Sequence, residues 1–165
     1  MQYNLKSKLI HWVMSVMIIT MLFIGYFMKG MPELVYNLHK STGMLLLGLL
    51  CIRLVVRLKS KYPELPESTP KIVKIVAKAN VLGLYLAMFI MPLSGFLMST
   101  LAGRSVPFFG LFEISSLATY KPLAYTFHEI HEICPIIFIA LIAAHIAGGL
   151  FHHFILKDNV LRKML

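Results

Sequence analysis

Four long apolar stretches run along the chain and restrict its fold more than any other feature. They cover residues 9–28, 38–58, 79–102 and 133–156. Each can cross a hydrocarbon layer about 30 Å thick as a helix, which takes about 20 residues at about 1.5 Å per residue. The sequence therefore predicts an all-α integral membrane protein, an up-down four-helix bundle that forms a single domain over residues 1–165.

The overall composition supports a position in the lipid bilayer. Hydrophobic residues make up 58% of the 165 positions, and the mean hydropathy is +0.77. A globule of this size has too little interior to bury so many apolar side chains, and the composition also argues against a disordered chain. A signal peptide is the alternative for the first stretch, because Lys6 and Lys8 precede it, but the stretch is long and lacks a small-residue cleavage site.

The charged residues predict the orientation. The chain has 16 Lys and Arg against 7 Asp and Glu, a net charge of +9. Twelve of the basic residues lie at the N-terminus, between the second and third stretches or at the C-terminus, and four lie on the other side. Basic residues are retained in the cytoplasm, so both termini of this multi-pass membrane protein are expected there.

Two further expectations follow from where the charges stand. Most basic residues flank apolar runs and do not interleave with aromatic residues on a polar surface, which argues against binding to nucleic acid. The connection over 59–78 ends in KIVKIVAKA, a short amphipathic stretch that is expected to lie on the inner membrane surface.

All seven histidines fall within or beside the predicted spans, where ionisable side chains are costly and point to function. His131 and His145 are 14 residues apart. On a helix this spacing returns to within about 40° of the same face, roughly 21 Å further along the axis. Two ligands at this offset suit two centres stacked across a bilayer.

The distribution of the histidines favours a planar cofactor over a bare metal ion. Zinc and copper sites need three or four ligands close together, whereas haem iron needs one imidazole from each side. His39 begins the second span on the external side and is expected to pair with His131. His11 lies near the internal start of the first span and is expected to pair with His145. A haem-free metal transporter that uses the same histidines is a rival reading.

Other histidines compete for these positions. His128 could replace His131, but it lies about 100° away from the stripe that contains His145. His152 matches the depth of His11 better than His145 does, but this choice would place the two irons about 31 Å apart. His152 is also a candidate hydrogen-bond donor to a quinone carbonyl or a haem propionate, and equally an interfacial residue without a ligand. Arg53 is a candidate to bind a propionate through its guanidinium group.

Three segments carry a resemblance to a known family. KLIHWVM, LHKSTGMLLLGLLCIRLVVRLK and HEICPIIFIALIAAHIAGGLFHHFILKDNVLRKM resemble bacterial cytochrome b561, and the resemblance covers nearly the whole chain. It implies four membrane helices and two b-type haems, each held by two histidines. Carried over residue by residue, the ligands fall on His11, His39, His131 and His145.

The resemblance also implies an activity. Some bacterial members, located in the inner membrane, take electrons from superoxide at the periplasmic face and reduce ubiquinone. The resemblance therefore implies an oxidoreductase of the bacterial inner membrane. The matching quinone contacts fall on His152 and on Lys71. A different role that keeps the haems is a cytochrome b anchor subunit, which would pass electrons between quinone and a hydrogenase or dehydrogenase partner protein.

Overall fold

The computed structural model describes residues 2–60, 65–116, 118–158 and 160–164, and its architecture is a bundle of four long helices. A two-stranded antiparallel hairpin joins the third helix to the fourth, and a short 3-10 turn, Leu161–Lys163, lies near the C-terminus. The elements are α1 (Leu5–Phe27), α2 (Glu33–Lys59), α3 (Lys71–Leu101), β1 (Val106–Phe108), β2 (Phe112–Ile114) and α4 (Lys121–Phe154). All four helices are long and apolar enough to cross a membrane, which confirms the predicted fold class.

The third and fourth helices begin earlier than predicted, at Lys71 and Lys121 instead of 79 and 133. KIVKIVAKA is the beginning of α3, so the prediction of a separate stretch on the membrane surface was wrong. The prediction ended each span where charges begin, whereas a helix continues beyond the hydrocarbon layer once water can solvate its side chains. α4 has 34 residues, a length of about 51 Å against a hydrocarbon thickness of about 30 Å. Residues 61–64, in the same connection, lie outside the described residues.

Packing between the helices is uneven. α3 packs against α4 along most of its length, around a small core of Ala87, Cys134 and Phe138. α1 packs against α2, and α2 against α3, but α4 hardly approaches α1 or α2 through its backbone. Most large apolar side chains point outward, as expected of helices that face lipid. The bundle is therefore least tightly closed along the faces of α4 that look toward α1 and α2.

Both chain ends meet at one end of the bundle, which we call the terminal end. The Tyr3 amide donates to the Lys163 carbonyl at 3.3 Å, and the Trp12 indole donates to the Met164 carbonyl at 3.1 Å. The Asn4 side-chain amide donates to the hydroxyl of Ser60, just after α2, at 2.9 Å. These contacts agree with an up-down arrangement.

The opposite end, which we call the hairpin end, is held by Ser41 on α2. This side chain is 1% exposed. Its hydroxyl lies 2.9 Å from the Pro107 carbonyl on β1 and 2.8 Å from the Asn37 carbonyl, and it accepts the Phe109 amide at 3.0 Å. The hairpin is thereby fixed against the first turns of α2, two residues beyond His39.

We expect Ser41→Ala to loosen the hairpin, because the Phe109 amide loses its acceptor in a part-buried hydrogen bond. An unsatisfied buried donor costs about 1–3 kcal/mol. Thermal unfolding in detergent would show a lower midpoint, and trypsin would cut at Arg104 more readily. Ser15→Ala is the matched control, since the Ser15 hydroxyl bonds the His11 carbonyl of its own helix. Equal behaviour of the two variants would contradict the role given to Ser41.

Candidate functional site

Four of the seven histidines form two pairs inside the bundle. The rings of His11 and His145 have centroids 6.2 Å apart, and those of His39 and His131 are 6.3 Å apart. The planes within the pairs are inclined by 72° and 89°. One pair lies toward the terminal end and the other toward the hairpin end. Each pair reaches across the loosely closed side of α4, to α1 in the first case and to α2 in the second.

The separation within each pair suits one metal atom between two imidazoles. A metal–nitrogen bond is about 2 Å and the ring centre lies about 1.1 Å behind the nitrogen, so two opposed ligands place their centroids about 6.3 Å apart. Bare aromatic rings can also pack edge to face at this distance. The hydrogen bonds of the ring nitrogens help to decide between the two readings.

His131 is oriented by a backbone carbonyl. Its Nδ1 atom lies 2.9 Å from the Met91 oxygen and 3.1 Å from the Ser94 hydroxyl. A carbonyl oxygen only accepts, so Nδ1 carries the proton and donates it, and Nε2 of the neutral ring keeps its lone pair. This arrangement is typical of histidines that bind a metal through Nε2.

The other rings have different surroundings. Nδ1 of His39 is buried and has no hydrogen-bond partner among the described residues. Nδ1 of His11 lies 3.1 Å from the Arg53 guanidinium, which has only donors, so Nδ1 is the acceptor in this contact. The two pairs therefore differ in polarity, with a carbonyl beside His131 and a positive charge beside His11.

Two glycines make room for the rings at the hairpin end. A Cβ atom on Gly95 would lie 2.8 Å from Cε1 of His131, and one on Gly25 would lie 3.3 Å from Cε1 of His39. The first distance is shorter than two carbon atoms tolerate, so α3 can lie against His131 only because residue 95 has no side chain. Neither contact was predicted from the sequence, in which Gly95 after Pro92 indicates a kink in the third span and Gly25 indicates close approach of a helix or a flat macrocycle.

An apolar pocket beside the hairpin-end pair is lined by side chains from all four helices. Its walls include His39, His131, Met14, Met88 and Phe138. The paired rings, the free Nε2 of His131 and this apolar space together fit a flat, largely apolar group that is bound through a metal.

A second pocket lies beside His11 at the terminal end, and we call it the arginine pocket. The hydroxyl of Tyr85 is buried there without a partner among the described residues, and the Arg57 guanidinium lies 5.5 Å from the centre of the same ring. Two guanidinium groups and several hydroxyls suit an anionic group. The pocket is lined by Tyr3, Ser7, Ile10, Arg53, Val56, Arg57, Ser60, Tyr85 and Met164.

The remaining predicted residues lie apart from the pairs. His152 is 4% exposed near the end of α4, and its Nδ1 lies 2.6 Å from the Asp158 carboxylate. Lys71 is exposed at the first position of α3. No described hydrogen bond or ion pair joins Lys71 to His152. His128 lies 3.4 Å from Glu132 on the exposed side of α4, outside both pairs.

Comparison with known proteins identifies a family that matches nearly the whole chain. The family model for prokaryotic cytochrome b561 matches residues 2–165. This chain belongs to the prokaryotic cytochrome b561 family. The resemblance seen in the sequence is thereby confirmed, and membership implies an electron carrier of the bacterial membrane that binds haem b.

Several relatives of this cytochrome b561 chain are known. It is 33% identical to cytochrome b561 homolog 2 of Escherichia coli strain K12 over 172 aligned positions, which cover 99% of this chain and 91% of the relative. Identity to cytochrome b561 homolog 1 of the same strain is 29%, covering 94% and 92%. Identity to a protein named probable superoxide oxidase CybB, from Yersinia pestis, is 26%, covering 99% and 96%.

We expect Gly95→Ala to lower the haem content of this cytochrome. The added methyl group would displace the His131 ring, which lies against α3 and donates a hydrogen bond to the Met91 carbonyl of that helix. The reduced-minus-oxidised spectrum of purified protein measures the change. Gly83→Ala on the same helix is the control, because its Cβ would meet only the flexible end of Leu141. A Gly95→Ala spectrum as strong as the control spectrum would contradict this reading of the site.

Proposed function

We propose that this chain is a di-haem b cytochrome that oxidises superoxide at the outer membrane face and reduces ubiquinone at the inner face. The observation that carries the proposal is the presence of two separate imidazole pairs, with centroids 6.2 and 6.3 Å apart. Family membership and the probable superoxide oxidase among its relatives support it further. Two superoxide anions release two electrons and two molecules of oxygen, and ubiquinone takes up the two electrons with two protons to give ubiquinol.

We assign the outer haem to His39 and His131 and the inner haem to His11 and His145. Bound haem supplies one-electron chemistry and, with both axial positions filled by imidazole, no open coordination site. His131 and His145 are 14 residues apart on one helix, which sets their offset along the axis at about 21 Å. The four residues thus hold two redox centres at different depths of one bundle.

Arg53 is proposed to bind a haem propionate in the arginine pocket. If Nε2 of His11 held the iron, the ring proton would lie on Nδ1, which could no longer accept from Arg53. The guanidinium would then be available to pair with a carboxylate. Tyr85 and Arg57 line the same pocket and offer a hydroxyl and a second guanidinium to that anionic group.

The polar surroundings of the two pairs support electron flow from the hairpin end to the terminal end. The Met91 carbonyl accepts the proton of His131 and makes that ring a stronger electron donor, which favours the oxidised outer haem. At the inner pair, Arg53 would offset the negative charge of the propionate that it binds, which favours the reduced inner haem. The twelve basic residues expected at the terminal end favour the proposed orientation, with both termini in the cytoplasm. In this orientation, electrons that move from the hairpin end to the terminal end cross from the outer face to the inner face.

At the outer face, net charge gives superoxide no general attraction. The expected outer residues include four basic and four acidic side chains: Lys29, Lys40, Arg104, Lys121, Glu33, Glu113, Glu129 and Glu132. Lys40, next to His39, interacts electrostatically with Arg104, Glu33 and Glu113. At the inner face, His152 and Lys71 are the proposed quinone contacts.

Single replacement of His131 or of His145 by Ala should each remove haem absorbance, because each variant leaves an iron with one ligand. Spectra of purified protein measure the loss. His128→Ala and His153→Ala are the controls and should keep both haems. Retention of two haems in either His131→Ala or His145→Ala would show that the ligand assignment is wrong.

The activity is tested by generating superoxide enzymatically and following haem reduction, then haem reoxidation by a short-chain ubiquinone. Both steps are expected, and superoxide dismutase should abolish the first. Haem reduction that needs an added dehydrogenase or hydrogenase, with no response to superoxide, would contradict the proposed donor and favour the anchor-subunit role. Colourless purified protein would contradict haem binding and favour a metal transporter.

A further inference from the structure

The C-terminal segment after α4 folds back over the end of that helix and brings an acid to His152. The Asp158 Oδ2 atom lies 2.6 Å from Nδ1 of His152, and the Asp158 amide donates to the His152 carbonyl at 3.1 Å. Oδ1 of the same carboxylate accepts the Val160 amide at 3.0 Å. Both carboxylate oxygens are therefore engaged, and the acid is held in one orientation.

This pair is more enclosed than a surface ion pair. The side chains of His152 and Asp158 are 6% and 15% exposed. The other described contact between a histidine and an acid, that of His128 with Glu132, has side chains 47% and 65% exposed. Buried charged groups are costly unless they are paired and hydrogen-bonded, so a buried His–Asp pair beside a redox centre calls for a functional reason.

The pair lies one step beyond the inner imidazole pair. His152 follows His145 by seven residues, which returns it to nearly the same face about 10 Å further along the helix. Reduction of a quinone there needs a proton for each electron. Histidine is the side chain that exchanges protons most readily near neutral pH.

We propose that Asp158 is a positioning residue that holds His152 as the proton donor to the quinone oxygen. This inference rests on the proposed reduction of ubiquinone. The carboxylate accepts a hydrogen bond from Nδ1–H and holds the ring in one orientation, so Nε2 is the atom that exchanges protons with the quinone. The Nε2–H bond breaks and an O–H bond forms on the quinone as an electron arrives, and neutral His152 then takes a proton from water. Two such cycles give one quinol.

Other titratable groups belong to the same C-terminal segment: Lys157, Arg162 and Lys163. Tyr3, just before α1, donates its backbone amide to the Lys163 carbonyl. Among described contacts, Asp158 is the titratable partner of His152, and Phe151 is its ring neighbour. A simple clamp for the C-terminus would use the same hydrogen bonds, so the test must separate proton delivery from folding.

The test uses the purified holoprotein, reduced beforehand with dithionite, and follows haem reoxidation by a short-chain ubiquinone from pH 5 to 9. Asp158→Asn keeps the shape and an acceptor oxygen but removes the charge. We expect unchanged haem spectra, reoxidation about 10- to 100-fold slower at neutral pH, and a pH profile that differs from that of the wild type. Asp158→Glu should restore part of the rate, and His152→Gln should be as slow as Asp158→Asn. His153→Gln, whose ring packs on Phe154, is the control.

The outcomes separate this inference from the proposed function. If ubiquinone does not reoxidise the wild-type haem, the proposed quinone reduction fails and this inference fails with it. If the wild type is reoxidised and Asp158→Asn keeps both its rate and its pH profile, the inference alone is overturned. If Asp158→Asn loses haem, Asp158→Glu decides: intact spectra with a rate between those of the wild type and His152→Gln support the inference, and a rate and pH profile equal to those of the wild type overturn it.

Discussion

The distance between opposing imidazoles is the constraint on which the rest of this structure depends. α4 stands away from α1 and α2, and the rings of His11, His39, His131 and His145 reach across that gap. In lipid, helices have no hydrophobic drive to close against each other, because lipid tails are as apolar as the side chains. A group bound from both sides, as proposed, would join α4 to α1 and α2 and would stabilise the bundle as any tight ligand does.

The surroundings of the rings serve the same constraint. Gly95 lets α3 lie against His131, and the Met91 carbonyl on that helix fixes the ring's proton on Nδ1. Ser94, which is 2% exposed, adds its hydroxyl beside the same nitrogen. At the other end, Arg53 brings a guanidinium to His11. The two ends of one bundle thus offer different electrostatic environments to chemically similar ligands.

The sequence was sufficient for the architecture and for the pairing of rings. The lengths of the four apolar stretches predicted four helices, and the 14-residue spacing placed His131 and His145 on nearly the same face of α4. The early starts of α3 and α4 were missed because charge marks the edge of the hydrocarbon layer and not the end of a helix. The hairpin was missed because its two three-residue strands depend on contacts with Ser41, which is distant in sequence.

The partner of His152 was missed for a related reason. Asp158 follows the end of α4, and only the backward turn of the segment brings its carboxylate to His152. In the sequence it counted as one inner charge. Two further features also arise from packing between helices: the Tyr85 hydroxyl, which has no hydrogen-bond partner among the described residues, and the close contact of Gly25 with His39. The spacing of residues along one helix does not reveal such contacts.

The central claim is that two haems b are held by two imidazole pairs in one chain. It is tested most directly by the haem-to-protein ratio of purified wild-type protein, measured together with its electron paramagnetic resonance spectrum. The account predicts two haems b per chain, both low-spin with two imidazole ligands each. A ratio of one haem per chain, or a high-spin iron with an open coordination position, would contradict it.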